Sequence, residues 1–168
     1  SFVKTAIPVK KIKGKTIDKW IKSLRSIDAP LECEHEELAT FDLKWGNDEY
    51  VPQLLEHSKG FFSQLGTIGA GNHFCELQEF DESLFDREKA YILVHSGSRG
   101  YGRDILDKFI TEYQQQGTKG FELNTHEYQQ YIEKHNDACN FAKRNRALIA
   151  HRFIKELTGQ QLDEIVDE

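Results

Sequence analysis

Hydrophobic positions along this chain follow two different spacings, and the change of spacing predicts a mixture of strands and helices. Short apolar or alternating runs over 74–80 and 90–94 are typical of β-strands. Apolar residues three and four positions apart predict helices over 16–27, 103–116 and 125–159. The expected fold class is therefore α+β, with a mixed central sheet flanked by long helices.

The segments before residue 66 give weaker signals. The run over 6–14 alternates like an edge strand or an extended segment, and Thr16 is a candidate cap for the helix that follows. Residues 30–42 are expected to form a loop leading into a short helix, and residues 48–65 a helical region interrupted by proline.

The last predicted helix is the longest, with Thr125 as its candidate cap and Gly159 as its candidate stop. Its apolar residues keep largely to one stripe, which predicts the face that packs against the rest of the protein. That stripe comprises Tyr128, Tyr131, Ile132, His135, Ala138, Cys139, Ala142 and Ile149.

The length of 168 residues suits a single domain over 1–168, and 38% hydrophobic with 30% charged residues is ordinary for a soluble globular protein. No apolar run is long enough to cross a bilayer, so no membrane association is expected. Three widely spaced cysteines without a CxxC pair argue against a disulfide framework and favour a cytoplasmic location. We expect Cys33, Cys75 and Cys139 to be buried or half-buried thiols.

The net charge of −6 argues against sequence-independent nucleic-acid binding over the whole surface, but the charge is unevenly distributed. Residues 1–25 contain eight Lys or Arg and one acid, whereas residues 26–50 contain eight acids and one base. The basic segment could contact phosphates. Alternatively, its lysines guard a solvated edge strand.

A glycine-rich stretch, "LGTIGAGNHFCELQEF" over 65–80, leads into one of the predicted strands. In an extended chain Asn72 and Glu76 share one face with Phe74, and His73 lies on the other. An amide and a carboxylate on one face suit a guanine base, or a ribose or phosphate beside it. His73 faces a different neighbour, and neutral imidazole is a common metal ligand.

A second stretch, "YILVHSGSRGYGRD" over 91–104, ends a strand at His95 and then turns through glycine and serine. Ser98, Arg99 and the backbone N–H groups of this turn could form a nest for an anion. A helix N-terminus follows and also favours phosphate. The residues alone leave two readings open: hydrogen-bonded strand-end histidines, or a metal or nucleotide site.

The motifs "LGTIGAGNHFCE" and "HSGSRGYG", in this order, resemble the signatures of the RtcB family of RNA-splicing ligases. The later segment "HNDACNFAKRNRALI" is similar to a helix of that family and contains the pair Asn145-Arg146. The resemblance covers roughly residues 60–155 and implies an incomplete RtcB-like fold.

The resemblance implies a GTP- and Mn²⁺-dependent RNA ligase, in which a guanylylated histidine passes GMP to an RNA 3′-phosphate or 2′,3′-cyclic phosphate end. A 5′-hydroxyl then closes the phosphodiester. The implied partner is RNA, either tRNA halves or broken RNA ends. His73 and His95 fall on metal-binding histidines of the family. The positions implied to contact GTP are Asn72, His73, Phe74, Glu76, Ser98 and Arg99.

Other parts of the family pattern have no match here. No Asp-x-Gly-Cys-Gly motif is present, Cys33 and Cys139 are not credible substitutes, and no residue matches the guanylylated histidine, so no catalytic residue is assigned. Cys75 is either a further ligand or a small core residue. We expect the isolated chain to bind Mn²⁺ weakly and to join no RNA, and we expect the remainder of a ligase chain. Two alternatives are a truncated, non-catalytic homologue that acts as a binding or assembly partner, and a metal-free phosphate-binding domain.

The remaining histidines and basic residues give no clear chemistry. His35 and His57 are expected at the surface, and His126 and His151 in structural or exposed positions. His135 and Cys139 have a spacing that can chelate zinc, although packing is favoured. Four cations of the last helix could line an RNA path or form ion pairs: Lys143, Arg144, Arg146 and Arg152.

Overall fold

The computed structural model describes residues 2–12, 14–23, 60–79, 88–113, 120–158 and 164–166. Within these ranges the chain forms four strands and three helices. The strands are β1 (Phe2–Pro8), β2 (Phe74–Gln78), β3 (Lys89–His95) and β4 (Glu164–Val166). The helices are α1 (Gly14–Ser23), α2 (Tyr101–Tyr113) and α3 (His126–Thr158). Short 3₁₀ turns cover Val9–Lys11 and Phe62–Gln64.

The strands form one sheet in the order β2-β3-β1-β4, and every described pair is antiparallel. Together with the helices this confirms the α+β class. The edge strand or extended segment predicted over 6–14 is found only in part: residues 6–8 end β1, Val9–Lys11 form a 3₁₀ turn, and α1 begins at Gly14. At its other end β1 lies inside the sheet, since Phe2–Lys4 pair with β4 on one side and with β3 on the other. Lys10 and Lys11 are exposed but lie in the turn after the strand, so they do not guard its edge.

The sheet packs against the C-terminal half of α3. The core between them is formed by buried side chains from β1, β3 and α3, namely Val3, Ile7, Ala90, Ile92, Val94, Ile149, Ala150 and Ile154. A second buried cluster joins α2 to the middle of α3 and comprises Leu65, Tyr101, Ile105, Ala138, Phe141 and Leu148. Because α3 belongs to both clusters, it crosses the region between the sheet and α2.

The boundaries of α3 follow the sequence prediction more closely than its buried face does. Thr125 caps the helix, since the Tyr128 N–H donates to Thr125 Oγ1 at 3.2 Å. The predicted stripe is partly wrong, because His135 and Cys139 are exposed while Asn145 is fully buried. A buried face predicted from apolar residues alone leaves out a polar residue that faces the core.

Several other expectations can be compared with the structure. α1 begins at Gly14, so Thr16 lies inside the helix and the cap prediction is wrong. Cys75 is half-buried, as expected, whereas the exposed position of Cys139 contradicts the expectation of a buried thiol. The predictions for 30–42, for most of 48–65, for Cys33 and for Gly159 lie outside the described residues. Among the described helices, none has the length and apolar character needed to cross a membrane.

Candidate functional site

Two glycine-rich loops lie side by side at one end of the β2–β3 pair. The first loop covers residues 65–73 and leads into β2, and the second loop covers residues 96–100 and follows β3. The antiparallel register places Phe74, the first residue of β2, opposite His95, the last residue of β3. The sheet therefore brings together two loops that the sequence separates by more than twenty residues.

His73 and His95, here called the histidine pair, converge at this junction. Their ring centroids are 5.9 Å apart with an interplanar angle of 57°. Nδ1 of His73 is buried and has no hydrogen-bond partner within the part of the chain that the structure describes. A single cation at about 2 Å from one nitrogen of each ring is compatible with this separation.

The histidine pair alone is an incomplete metal site. Among the described residues, no group of three or more His, Cys, Asp or Glu side chains could hold a metal ion. An orphaned ring nitrogen fits a metal-ligand role, but divalent transition metals usually take three or four protein ligands. The pair can therefore supply part of a coordination shell.

Arg99 extends from the second loop across the first. Its Nε donates to Thr67 Oγ1 at 2.8 Å, and its Nη1 donates to the Ile68 carbonyl at 3.5 Å. The guanidinium lies over Gly69, where an added Cβ would be 1.6 Å from Arg99 Nη1 and 2.9 Å from His73 Nδ1. The absence of a side chain at Gly69, with φ of +94°, thus lets a fixed positive charge sit beside His73.

The predicted alternation along β2 is confirmed by burial. Asn72, Phe74 and Glu76 are exposed, while His73 and Cys75 are partly buried. Phe74 is 37% exposed and stacks on His95 at a centroid distance of 5.5 Å. Glu76 accepts a hydrogen bond from the Gln78 side chain at 2.7 Å, which places both on the same face. An aromatic ring and a carboxylate thus line an open surface beside the histidine pair.

Two residues of the candidate set have structural contacts instead of facing the histidine pair. Ser98 Oγ accepts a hydrogen bond from the Gly102 N–H at 3.0 Å and so caps α2. The Cys75 side chain packs against the sheet core, and burial followed by the charge of Glu76 raises its pKa to about 12. The packing of this side chain against the sheet core favours the core interpretation over a metal-ligand role.

Asn145 of α3 holds the two loops together and was missed as a site residue. Its Oδ1 accepts from the Gly66 N–H at 2.7 Å, and its Nδ2 donates to the Thr67 carbonyl at 3.2 Å. Nδ2 also lies 3.1 Å from Ser96 Oγ and 3.1 Å from the Gly97 carbonyl. The signal available in the sequence was an asparagine four positions from Phe141 and from Ile149, on the inward face of α3.

Two arginines of α3 support the same loops. Arg146 Nη1 donates to the Ser96 carbonyl at 3.4 Å, and Arg152 Nη1 donates to the Gly66 carbonyl. Neither the RNA-path nor the ion-pair interpretation anticipated these contacts with loop carbonyls. Ser96 Oγ in turn donates to the Ile68 carbonyl at 2.7 Å, so the two loops also bond directly to each other.

The remaining histidines do not join this site. His126 and His135 are exposed, and His151 is partly buried on α3. His135 Nε2 lies 3.5 Å from Cys139 Sγ, but no third ligand joins them among the described residues. Their exposure also contradicts the packing interpretation. His35 and His57 lie outside the described residues.

Comparison with known proteins gives a consistent result. The profile of a family described as "tRNA-splicing ligase RtcB" matches residues 16–165. The chain is 38% identical over 104 residues to "RNA-splicing ligase RtcB2" of Escherichia coli, covering 56% of this chain and 27% of that protein. It is 34% identical over 142 residues to "RNA-splicing ligase RtcB homolog 1" of Entamoeba dispar, covering 71% and 24% respectively.

A third relative extends the match to the archaea. The chain is 33% identical over 136 residues to "tRNA-splicing ligase RtcB" of Methanopyrus kandleri, covering 63% of this chain and 14% of that protein. The chain thus spans between 14% and 27% of the length of these three curated relatives.

Proposed function

Because this chain belongs to the RtcB family of tRNA-splicing ligases, we propose that it forms part of an enzyme that joins RNA ends. In the proposed reaction a 2′,3′-cyclic phosphate end is first hydrolysed by water to a 3′-phosphate. GTP then activates the RNA 3′-phosphate by transfer of GMP, and pyrophosphate is released. The oxygen of a 5′-hydroxyl then forms a bond to that phosphorus, and GMP leaves. The proposed partners are RNA, as tRNA halves or broken ends, and GTP.

Two observations carry this proposal: the rings of His73 and His95 approach to a centroid distance of 5.9 Å, and the buried Nδ1 of His73 has no hydrogen-bond partner among the described residues. We propose that this histidine pair supplies two ligands to Mn²⁺. A bound Mn²⁺ ion would neutralise charge on phosphate oxygens during phosphoryl transfer. Further metal ligands would come from segments of the ligase that lie outside the part of its relatives that this chain matches.

The residues around the histidine pair have complementary roles in the proposal. The guanidinium of Arg99 is held by Thr67 and Ile68, and its geometry suits a phosphate oxygen pair. The Glu76 carboxylate could accept hydrogen bonds from the N1–H and N2–H₂ groups of guanine, with the Asn72 amide beside it. The half-exposed ring of Phe74 offers a stacking surface for a base. Ser98 supports the site by capping α2.

Mn²⁺ titration of the 168-residue chain, followed by NMR of its histidine rings, tests the metal proposal. Paramagnetic broadening should affect His73 and His95 at lower Mn²⁺ concentrations than the exposed His126 and His135. His73→Ala should abolish the effect on His95. Equal broadening of all four rings, or none at His73 and His95, would contradict a metal site at the histidine pair.

Ligation assays test the activity. The full polypeptide specified by the encoding gene should join an RNA bearing a 3′-phosphate to one bearing a 5′-hydroxyl when given GTP and Mn²⁺. His95→Ala should abolish joining, and the 168-residue chain alone should be inactive. Joining by that chain alone would refute the need for further ligands. RNA binding without joining by the full polypeptide would favour the assembly-partner alternative, and phosphate binding unaffected by chelators would favour the metal-free one.

A further inference from the structure

The buried carboxamide of Asn145 connects the two loops that carry the candidate site. The side chain has no solvent exposure. It reaches Gly66 and Thr67 in the first loop, 79 and 78 positions away in sequence, and Ser96 and Gly97 in the second. We infer that Asn145 is a positioning residue for the proposed ligase site, and this inference rests on the proposed function above.

The chemistry of the contacts requires an amide at this position. The Gly66 N–H needs an acceptor, whereas the carbonyls of Thr67 and Gly97 need a donor, and the carboxamide supplies both from one planar group. An aspartate at this position would face the two carbonyls with a buried negative charge. An alanine would leave the Gly66 N–H and the carbonyls of Thr67 and Gly97 without this partner.

The loops that Asn145 joins are not held by regular secondary structure. Positive φ angles occur at Gly66 and Gly69 in the first loop and at Arg99 in the second. Thr67 links the amide to the site, because its carbonyl accepts from Asn145 and its hydroxyl accepts from Arg99. Ser96, which also bonds to the amide, directly follows His95. Asn145 therefore sets the placement of Arg99 and of His95 relative to His73.

Asn145→Ala, with Ile154→Ala as the matched control, tests this role in the 168-residue chain. Ile154 is buried on the same helix in the sheet core, and its truncation costs stability without removing a bond to either loop. Without metal, wild-type should show a nuclear Overhauser effect between the rings of the histidine pair. It should also show a slowly exchanging Arg99 Nε–H, since that group donates to Thr67.

Both signals should weaken or vanish in Asn145→Ala and persist in Ile154→Ala at an equal or lower melting temperature. Mn²⁺ affinity at the histidine pair should fall at least tenfold in Asn145→Ala and less than twofold in the control. Equal loss of these signals in the two variants would overturn the inference. The nuclear Overhauser effect and the exchange of the Arg99 Nε–H are both measured without metal. They therefore test the positioning role of Asn145 even if wild-type binds no Mn²⁺, a result that would contradict only the proposed function.

A second variant and a wild-type measurement cover the case in which Asn145→Ala does not fold. Asn145→Ser retains one hydroxyl and should give intermediate losses. In wild-type, the Gly66 amide proton should exchange as slowly as the amides in the middle of α3, because it donates to the buried Oδ1. Rapid exchange at Gly66 would refute the inference without any substitution.

Discussion

Gly69→Ala is expected to displace Arg99, and Gly71→Ala provides its matched control. Both glycines have a strongly positive φ, +94° and +88° respectively, so an alanine at either position is similarly strained. They differ in what a side chain would meet. A Cβ at Gly69 would lie 1.6 Å from Arg99 Nη1, whereas nothing lies within 4 Å of a Cβ at Gly71.

The difference between the two variants reports mainly the loss of the Arg99 contacts, with a smaller contribution from the approach of the Gly69 Cβ to His73 Nδ1. The backbone strain should cost about 1–2 kcal/mol in both. Gly69→Ala should lose in addition the hydrogen bond from Arg99 to Thr67, and hydrogen bonds to charged groups contribute about 1.5–3 kcal/mol. For a chain of this size, that extra loss corresponds to a melting temperature about 3–12 °C lower than that of Gly71→Ala.

Differential scanning calorimetry of both variants, alone and combined with Arg99→Ala, measures this difference. In the Arg99→Ala background the gap between the two alanine substitutions should narrow, because the displaced guanidinium is gone and only the 2.9 Å approach of the Gly69 Cβ to His73 Nδ1 remains. Binding of inorganic phosphate should be weaker in Gly69→Ala than in Gly71→Ala. Equal melting temperatures for the two single variants would refute the placement of Arg99 over Gly69.

Three further predictions concern other parts of the fold. Because burial raises the pKa of the Cys75 thiol to about 12, iodoacetamide at pH 8 should modify exposed Cys139 much faster than Cys75, as measured by peptide mapping; equal rates would contradict this. Burial also raises the pKa of Asp137 above 3.8, which disfavours its ionised form in the folded chain. Asp137→Asn should therefore raise the melting temperature at pH 7, with a gain that shrinks toward pH 4 as the wild-type carboxyl takes up its proton; a gain independent of pH would refute the cause. Thr125→Ala should destabilise the chain by about 0.5–2 kcal/mol in urea unfolding through loss of the α3 cap, whereas Thr111→Ala, in α2, should be nearly neutral.

The sequence patterns predicted the local features of this fold and left out the features that depend on distant pairing. The helical and strand spacings identified α2, α3, β2 and β3, and the two-residue period placed Asn72 and Glu76 on one face. The position of β1 inside the sheet depends on β4, which lies more than 150 residues further along the chain. The spacing of apolar residues within one segment gives no information about so distant a neighbour.

The same limit applies to the candidate site. His73 and His95 were recognisable because each follows or precedes a glycine-rich turn, and their approach requires only that β2 and β3 pair. Arg99 over Gly69 and Asn145 between the loops are tertiary contacts. Their residue types are compatible with many other positions, so composition and spacing could not assign them.

The separation between Asn145 and the loops it joins has a consequence for protein synthesis. Translation delivers both imidazoles to solvent before the asparagine leaves the ribosome, since the later of them, His95, precedes Asn145 by 50 positions. A nascent polypeptide at that stage has its histidines but lacks the amide that fixes their spacing. Assembly of the two loops that carry the histidine pair is thereby deferred until α3 has emerged and docked.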